Sequence, residues 1–104
     1  MDKKKSLKLL KVFKNNLGRE ISIKKMYLFG SRAKGNAKRW SDFDLLIVSS
    51  MFWHKETYER ALGFRKYWNF DYPVDFLCYT PEEFNKLKKQ VSIVKEAIEN
   101  GIEI

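Results

Sequence analysis

Asp42 and Asp44 open a run, Phe43-Asp44-Leu45-Leu46-Ile47-Val48-Ser49, that is otherwise almost wholly apolar. In an extended strand residues i and i+2 share a face, so the two carboxylates stand side by side with roughly 6–7 Å between their α-carbons. Phe43 between them points the other way, into a core. Two like charges so placed repel each other, and a divalent cation relieves the repulsion. An all-oxygen donor set suits Mg2+ or Mn2+. Asp75, in Pro73-Val74-Asp75-Phe76-Leu77-Cys78, is a third acid inside an apolar stretch. If the two strands are neighbours, all three acids converge on one patch. A triad of that kind can hold two metal ions for phosphoryl or nucleotidyl transfer.

Upstream lies Leu28-Phe29-Gly30-Ser31-Arg32-Ala33-Lys34-Gly35. Gly30 lets backbone approach a ligand closely. The N–H groups after it, with the Ser31 hydroxyl, can cradle phosphate oxygens, and Arg32 and Lys34 can supply counter-charge. Each piece has an ordinary reading too: Asp42 as a strand-opening cap after Ser41, Asp75 as an edge-strand acid, Gly-Ser as a turn. The combination is far more specific. A strand ends in Gly-Ser, ten residues (32–41) follow, Asp-x-Asp opens a strand, and a lone Asp sits in the next one.

The elements that must position these residues are legible in outline. Leu7, Leu10, Phe13 and Leu17 recur at helical spacing until Gly18. Residues 21–29 read as a strand whose end, Met26-Tyr27-Leu28-Phe29, is apolar on both faces and needs cover on both sides. Residues 31–34 start a short helix and Gly35-Asn36 turns the chain. Strands are expected over 43–49 and 73–79, with a helix over 55–69 between them. Thr80-Pro81-Glu82-Glu83 forms a capping box with proline at the first helical position. Phe84, Leu87, Val91, Val94 and Ile98 then continue at helical spacing, with a break near Ser92 and an end at Gly101, before a short strand stub at 102–104. The expectation is an α/β (α+β) domain spanning 1–104, a small mixed three-stranded sheet packed with helices.

Composition narrows the function classes. A 104-residue chain fits one domain and leaves no room for a separate acceptor-binding lobe. One cysteine, Cys78, and one histidine, His54, cannot build a disulfide or a Cys/His zinc site. Cys78 reads as a small core residue and His54 as solvent-facing. No apolar run is long enough to span a bilayer and the N-terminus is not a secretory signal, so a cytoplasmic protein without membrane contact is expected. The net charge of +8 is uneven: residues 1–39 carry +11 and residues 40–104 carry −3. The basic third either meets an anion or is a solvated helix face. Residues 52–72 hold 8 of the chain's 16 aromatics. They read as core, with a few, such as Tyr58 or Tyr67, turned outward as a docking patch for a partner or for self-association.

The Gly30-Ser31, ten-residue spacer, Asp42-x-Asp44 and later Asp75 pattern resembles the minimal nucleotidyltransferases of the DNA polymerase beta-type nucleotidyltransferase superfamily. The likeness covers roughly residues 20–85 and includes the Leu28-Phe29 lead-in, Arg32-Ala33-Lys34-Gly35 and Ser41-Asp42-Phe43-Asp44-Leu45-Leu46. It implies a nucleotidyltransferase fold and transfer of AMP from ATP to an acceptor hydroxyl with release of pyrophosphate (EC 2.7.7). By that likeness Asp42, Asp44 and Asp75 are catalytic and hold two Mg2+ ions, and Gly30, Ser31, Arg32 and Lys34 bind the nucleotide. Relatives of this size are often antitoxins paired with a HEPN-type toxin, some adenylylating a toxin tyrosine. That makes a cognate HEPN-type toxin the implied partner. Two other readings remain: a module that neutralises a toxin by contact alone, and a nucleotidyltransferase acting on RNA. The helix-distributed lysines lack interleaved aromatics, which disfavours RNA.

Overall fold

The computed structural model describes residues 2–104. Helix α1 spans Lys3–Leu17, started by Asp2, whose carboxylate accepts from the Lys5 N–H at 2.8 Å. Strand β1 is Lys25–Phe29, α2 is Ser31–Lys34 and β2 is Phe43–Val48. Strand β3 is Val74–Tyr79, α3 is Pro81–Leu87, α4 is Ile93–Asn100 and β4 is Ile102–Glu103. The sheet is mixed, in the order β3-β2-β1-β4. β1 runs antiparallel to both β2 and β4, while β2 and β3 are parallel.

Alternation along the strands divides the core into two. Met26, Leu28, Phe43, Leu45, Ile47, Val74 and Cys78 face α1, where they meet Leu10, Phe13 and Leu17. Tyr27, Phe29, Leu46 and Val48 face α3 and α4, against Phe84, Val94 and Ala97. This second cover is the smaller. Asp44 and Asp75 lie on its face of the sheet, in step with Leu46 and Leu77, at the end where Phe29 of the cluster is paired opposite Asp44.

Three expectations change. The sheet has four strands rather than three, because the stub after Gly101 pairs Ile102 with Leu28 and Glu103 with Tyr27. The pairing is tight: a side chain on Gly101 would strike the Leu28 and Ala97 carbonyl oxygens. Residues 55–69 form no α-helix. They fold into 3-10 turns at Thr57–Glu59 and Phe64–Tyr67, interrupted by Gly63 at φ +86°, a left-handed conformation that ends a helix. Parallel strands need a long crossover. This one is folded around its buried aromatics, Phe52, Phe64 and Trp68, instead of around helical periodicity. Finally, Val91 belongs to no helical stripe: it is 99% exposed in the bend between α3 and α4. Ser92 caps α4 there, accepting from the Lys95 N–H at 3.2 Å. The capping box of α3 is formed as expected, with both Thr80 and Glu83 engaged.

Candidate active site

The site lies where the C-terminal end of β1 meets the N-terminal ends of β2 and β3. Antiparallel pairing sets Phe29 opposite Asp44, and parallel pairing sets Asp44 opposite Asp75. Neighbouring strands lie roughly 4.8 Å apart, so Asp44 and Asp75 are lateral neighbours on one face. Asp42, exposed just before β2, follows on the same side by alternation, and Phe43 is fully buried on the other. The tertiary fold thus brings together the three acids that lie 33 residues apart at their extremes.

Electrostatics agree with the geometry. The Asp44 carboxyl is held above its ordinary range first by desolvation, then by the negative charges of Asp75 and Asp42. No basic group offsets them: none of the ion pairs among the described residues includes Asp42, Asp44 or Asp75. Gly30 completes the corner. It sits at φ +75° and a side chain there would collide with the Asp44 carboxylate. Only glycine serves both the backbone angle and the space. Ser31, half-buried, starts α2 directly after it.

Arg32 and Lys34 are placed differently from Ser31. The Arg32 guanidinium is buried between strand and loop. Its Nε and Nη2 donate to the Ser41 carbonyl at 3.0 and 2.8 Å, and Nη2 donates to the Arg39 carbonyl at 3.4 Å. It also lies 4.2 Å from the Phe43 ring centroid and 5.1 Å from that of Tyr72. Its donors clamp the loop that leads into Asp42, which makes it a positioning residue. The motif's spacing contains no signal for that burial. Lys34 is exposed and pairs with Glu96 of α4 at 3.6 Å. His54 is exposed, and Cys78 is buried with its thiol pushed up to about 12 by desolvation, so neither joins the site. Of the aromatics in 52–72, Phe52, Phe64 and Trp68 are core, Tyr67 packs partly against it, and Trp53 and Tyr58 are exposed.

The donor set fits a hard divalent cation. Oxygen is the only ligand type offered, the site carries uncompensated negative charge, and it is open. Among the described residues no three acid, histidine or cysteine side chains form a closed cluster around one point. Mg2+ is commonly held that way, by one or two carboxylates with water and substrate phosphates filling the remaining positions.

A mixed sheet with helices on both faces, a glycine turn packed on an Asp-x-Asp strand and a third acid alongside define a nucleotidyl-transfer architecture. The nucleotidyltransferase domain family matches residues 8–103, and the chain belongs to that family. Members generally act on a nucleoside triphosphate with a divalent metal. The fold is similar to that of a Sulfolobus solfataricus protein with the provisional description of nucleotidyltransferase. The TM-score is 0.68 at 20% identity, over 97% of this chain and 80% of that one. No curated protein sequence matches significantly. Among the described residues no helix is long and apolar enough to cross a membrane.

Proposed function

We propose that this protein moves AMP from ATP to a hydroxyl group of a partner macromolecule, with a tyrosine of a cognate HEPN-type toxin as the acceptor. The reading makes it a cytoplasmic antitoxin that acts by adenylylation. The observation that carries it is the set of three carboxylates without a basic partner, gathered beside the Gly30 turn. A structural protein gains nothing from such a cluster, whereas a phosphate-transferring one uses it.

In this reading the N–H groups after Gly30 and the Ser31 hydroxyl donate to the β- and γ-phosphates. Asp42 and Asp44 hold the metal ions, and Asp75 shares one of them. Two Mg2+ ions held there would supply charge neutralisation of the phosphate oxygens and a lowered pKa of the attacking hydroxyl. Asp75 is exposed on an edge strand, where a large acceptor can reach it. It takes the proton of the acceptor hydroxyl as that oxygen attacks the α-phosphorus. The bond from the α-phosphorus to the bridging oxygen breaks, and pyrophosphate leaves along the Gly30–Ser31 turn. Exposed Trp53 and Tyr58, on the crossover leading into β3, supply apolar area for docking the acceptor. The exposed lysines of α1 steer an acidic partner, an attraction that salt weakens.

The test incubates the protein with the product of the adjacent reading frame, which this reading expects to be a HEPN-type protein, together with Mg2+ and ATP labelled at the α-phosphate. The expected result is label on that partner, an intact-mass gain of one AMP, and localisation to a tyrosine by fragmentation. A stable complex without label would make the protein a binding module. Label on added RNA instead would move the acceptor to nucleic acid.

A further inference from the structure

Trp40 is 73% exposed at the rim of the site, although indole is among the largest apolar surfaces a chain can bury. It does not ride on a slack loop. The carbonyls on either side of it, Arg39 and Ser41, both accept from the buried Arg32 guanidinium. The Lys38 N–H donates to the Ser41 hydroxyl at 2.8 Å, and the Ser41 N–H donates back to the Lys38 carbonyl at 3.0 Å. The Arg39 guanidinium lies 5.0 Å from the Trp40 ring centroid, backing the ring with a cation. A large flat apolar surface is thus fixed, backed and left open to solvent. Among the described residues, no cation lies against the ring of the other exposed tryptophan, Trp53.

Position gives this surface a ligand. Only Ser41 separates Trp40 from Asp42, so their α-carbons are at most ~7 Å apart. Asp42 is one of the carboxylates assigned above to the metal ions, and the α-phosphate is the group that reacts there. A base attached through one ribose to that phosphate is within reach of the indole. We propose that Trp40, backed by Arg39, is the stacking platform for the nucleobase of the bound nucleoside triphosphate. The proposal rests on the nucleotidyl-transfer reading of Asp42, Asp44 and Asp75. Stacking reads the area of a base rather than its hydrogen-bonding edge, so the platform accepts either purine and holds both more tightly than a pyrimidine.

The experiment is calorimetric titration of wild type, Trp40→Ala, Trp40→Phe and Trp53→Ala with Mg2+-ATP and, separately, with Mg2+-tripolyphosphate, which has the phosphates but no base. Trp40→Ala is expected to weaken ATP binding roughly 5- to 100-fold and to leave tripolyphosphate binding unchanged. Trp40→Phe restores most of the ATP affinity, and Trp53→Ala binds both as wild type does. Equal ATP affinity in Trp40→Ala and wild type overturns the platform and leaves the transfer reading standing; it would point to Trp40 as a contact for the acceptor. A parallel loss of ATP and tripolyphosphate affinity in Trp40→Ala also overturns it, by making the indole a support for the loop. If wild type binds neither compound in the presence of Mg2+, the transfer reading falls and the platform with it.

Discussion

The two ends of the β2–β3 pair treat charge in opposite ways. At the C-terminal end a buried arginine, Arg60, is fully answered. It donates to both Glu83 oxygens, to the Cys78 carbonyl at 3.1 Å and to the Lys55 carbonyl at 3.2 Å. Glu83 in turn caps α3 through the Thr80 N–H at 2.8 Å. Each charge there has a protein partner, and the result ties crossover, strand and helix together. At the N-terminal end Asp42, Asp44 and Asp75 share one corner of the sheet, and none of the ion pairs among the described residues includes them. The same pair of strands therefore carries one balanced cluster, which is structural, and one unbalanced cluster, which the proposed function assigns to a metal-bound triphosphate. The pKa directions follow the same division. Glu83 is pushed down, chiefly by its hydrogen bond to Arg60, and Asp44 is pushed up by desolvation and its acidic neighbours.

The largest effect is expected at the unbalanced end. Asp44→Asn should lower transfer by orders of magnitude while the fold survives. Because the folded Asp44 carboxyl titrates above its unfolded value, its charge is a penalty above that pKa and is absent below the unfolded one. The amide removes the penalty, so the variant should melt at or above the wild-type temperature at neutral pH without metal. Millimolar Mg2+ or Mn2+ should raise the melting temperature of wild type but not of the variant. A variant with wild-type turnover would erase the contrast between the two ends.

Next comes Gly30→Val, which forces a β-branched residue to φ +75° and drives its side chain into Asp44. Both activity and stability should fall, with roughly 1–3 kcal/mol of backbone strain in denaturant titration. Wild-type stability would mean that the turn can relax away from Asp44.

Arg60→Met tests the balanced end. It removes four donated hydrogen bonds and should cost about 1–3 kcal/mol in urea unfolding. The cost stays below that of breaking a wholly buried pair, because Glu83 is half-exposed and regains water. Mg2+-ATP affinity should be unchanged, since Cys78 and Asp75 are three residues, or roughly 10 Å, apart along β3. A loss of nucleotide affinity at full folding would show that the two ends are coupled.

The smallest effect is pH-dependent. A carboxyl lowered by folding contributes stability that is present above its unfolded pKa and is lost as pH falls through the folded one. Wild type should therefore lose melting temperature more steeply than Glu83→Gln on acidification from the ordinary glutamate range downward. Parallel curves would mean that Arg60 contributes packing rather than charge.

By itself the sequence determined what depends on local chemistry. The capping box at Thr80–Glu83, the short helix after Gly30, the apolar strands around Asp44 and Asp75, and the Gly-Ser to Asp-x-Asp spacing are all set by residues a few positions apart. Tertiary structure decided the rest. The helix expected over 55–69 gave way to 3-10 turns because burying Phe52, Phe64 and Trp68 against α1 and the sheet outweighed weak helical periodicity broken at Gly63. Ile102 and Glu103 became a fourth strand only because β1 offered them a free edge. Arg32, in sequence a basic residue beside a phosphate-binding turn, became the clamp of the 35–41 loop because the carbonyls of Arg39 and Ser41 and the Phe43 ring close around it. Above all, parallel register set Asp75 beside Asp44. A sequence can place an acid in an apolar strand, but which neighbour that strand takes, and in which register, is settled by how the whole sheet buries its two faces.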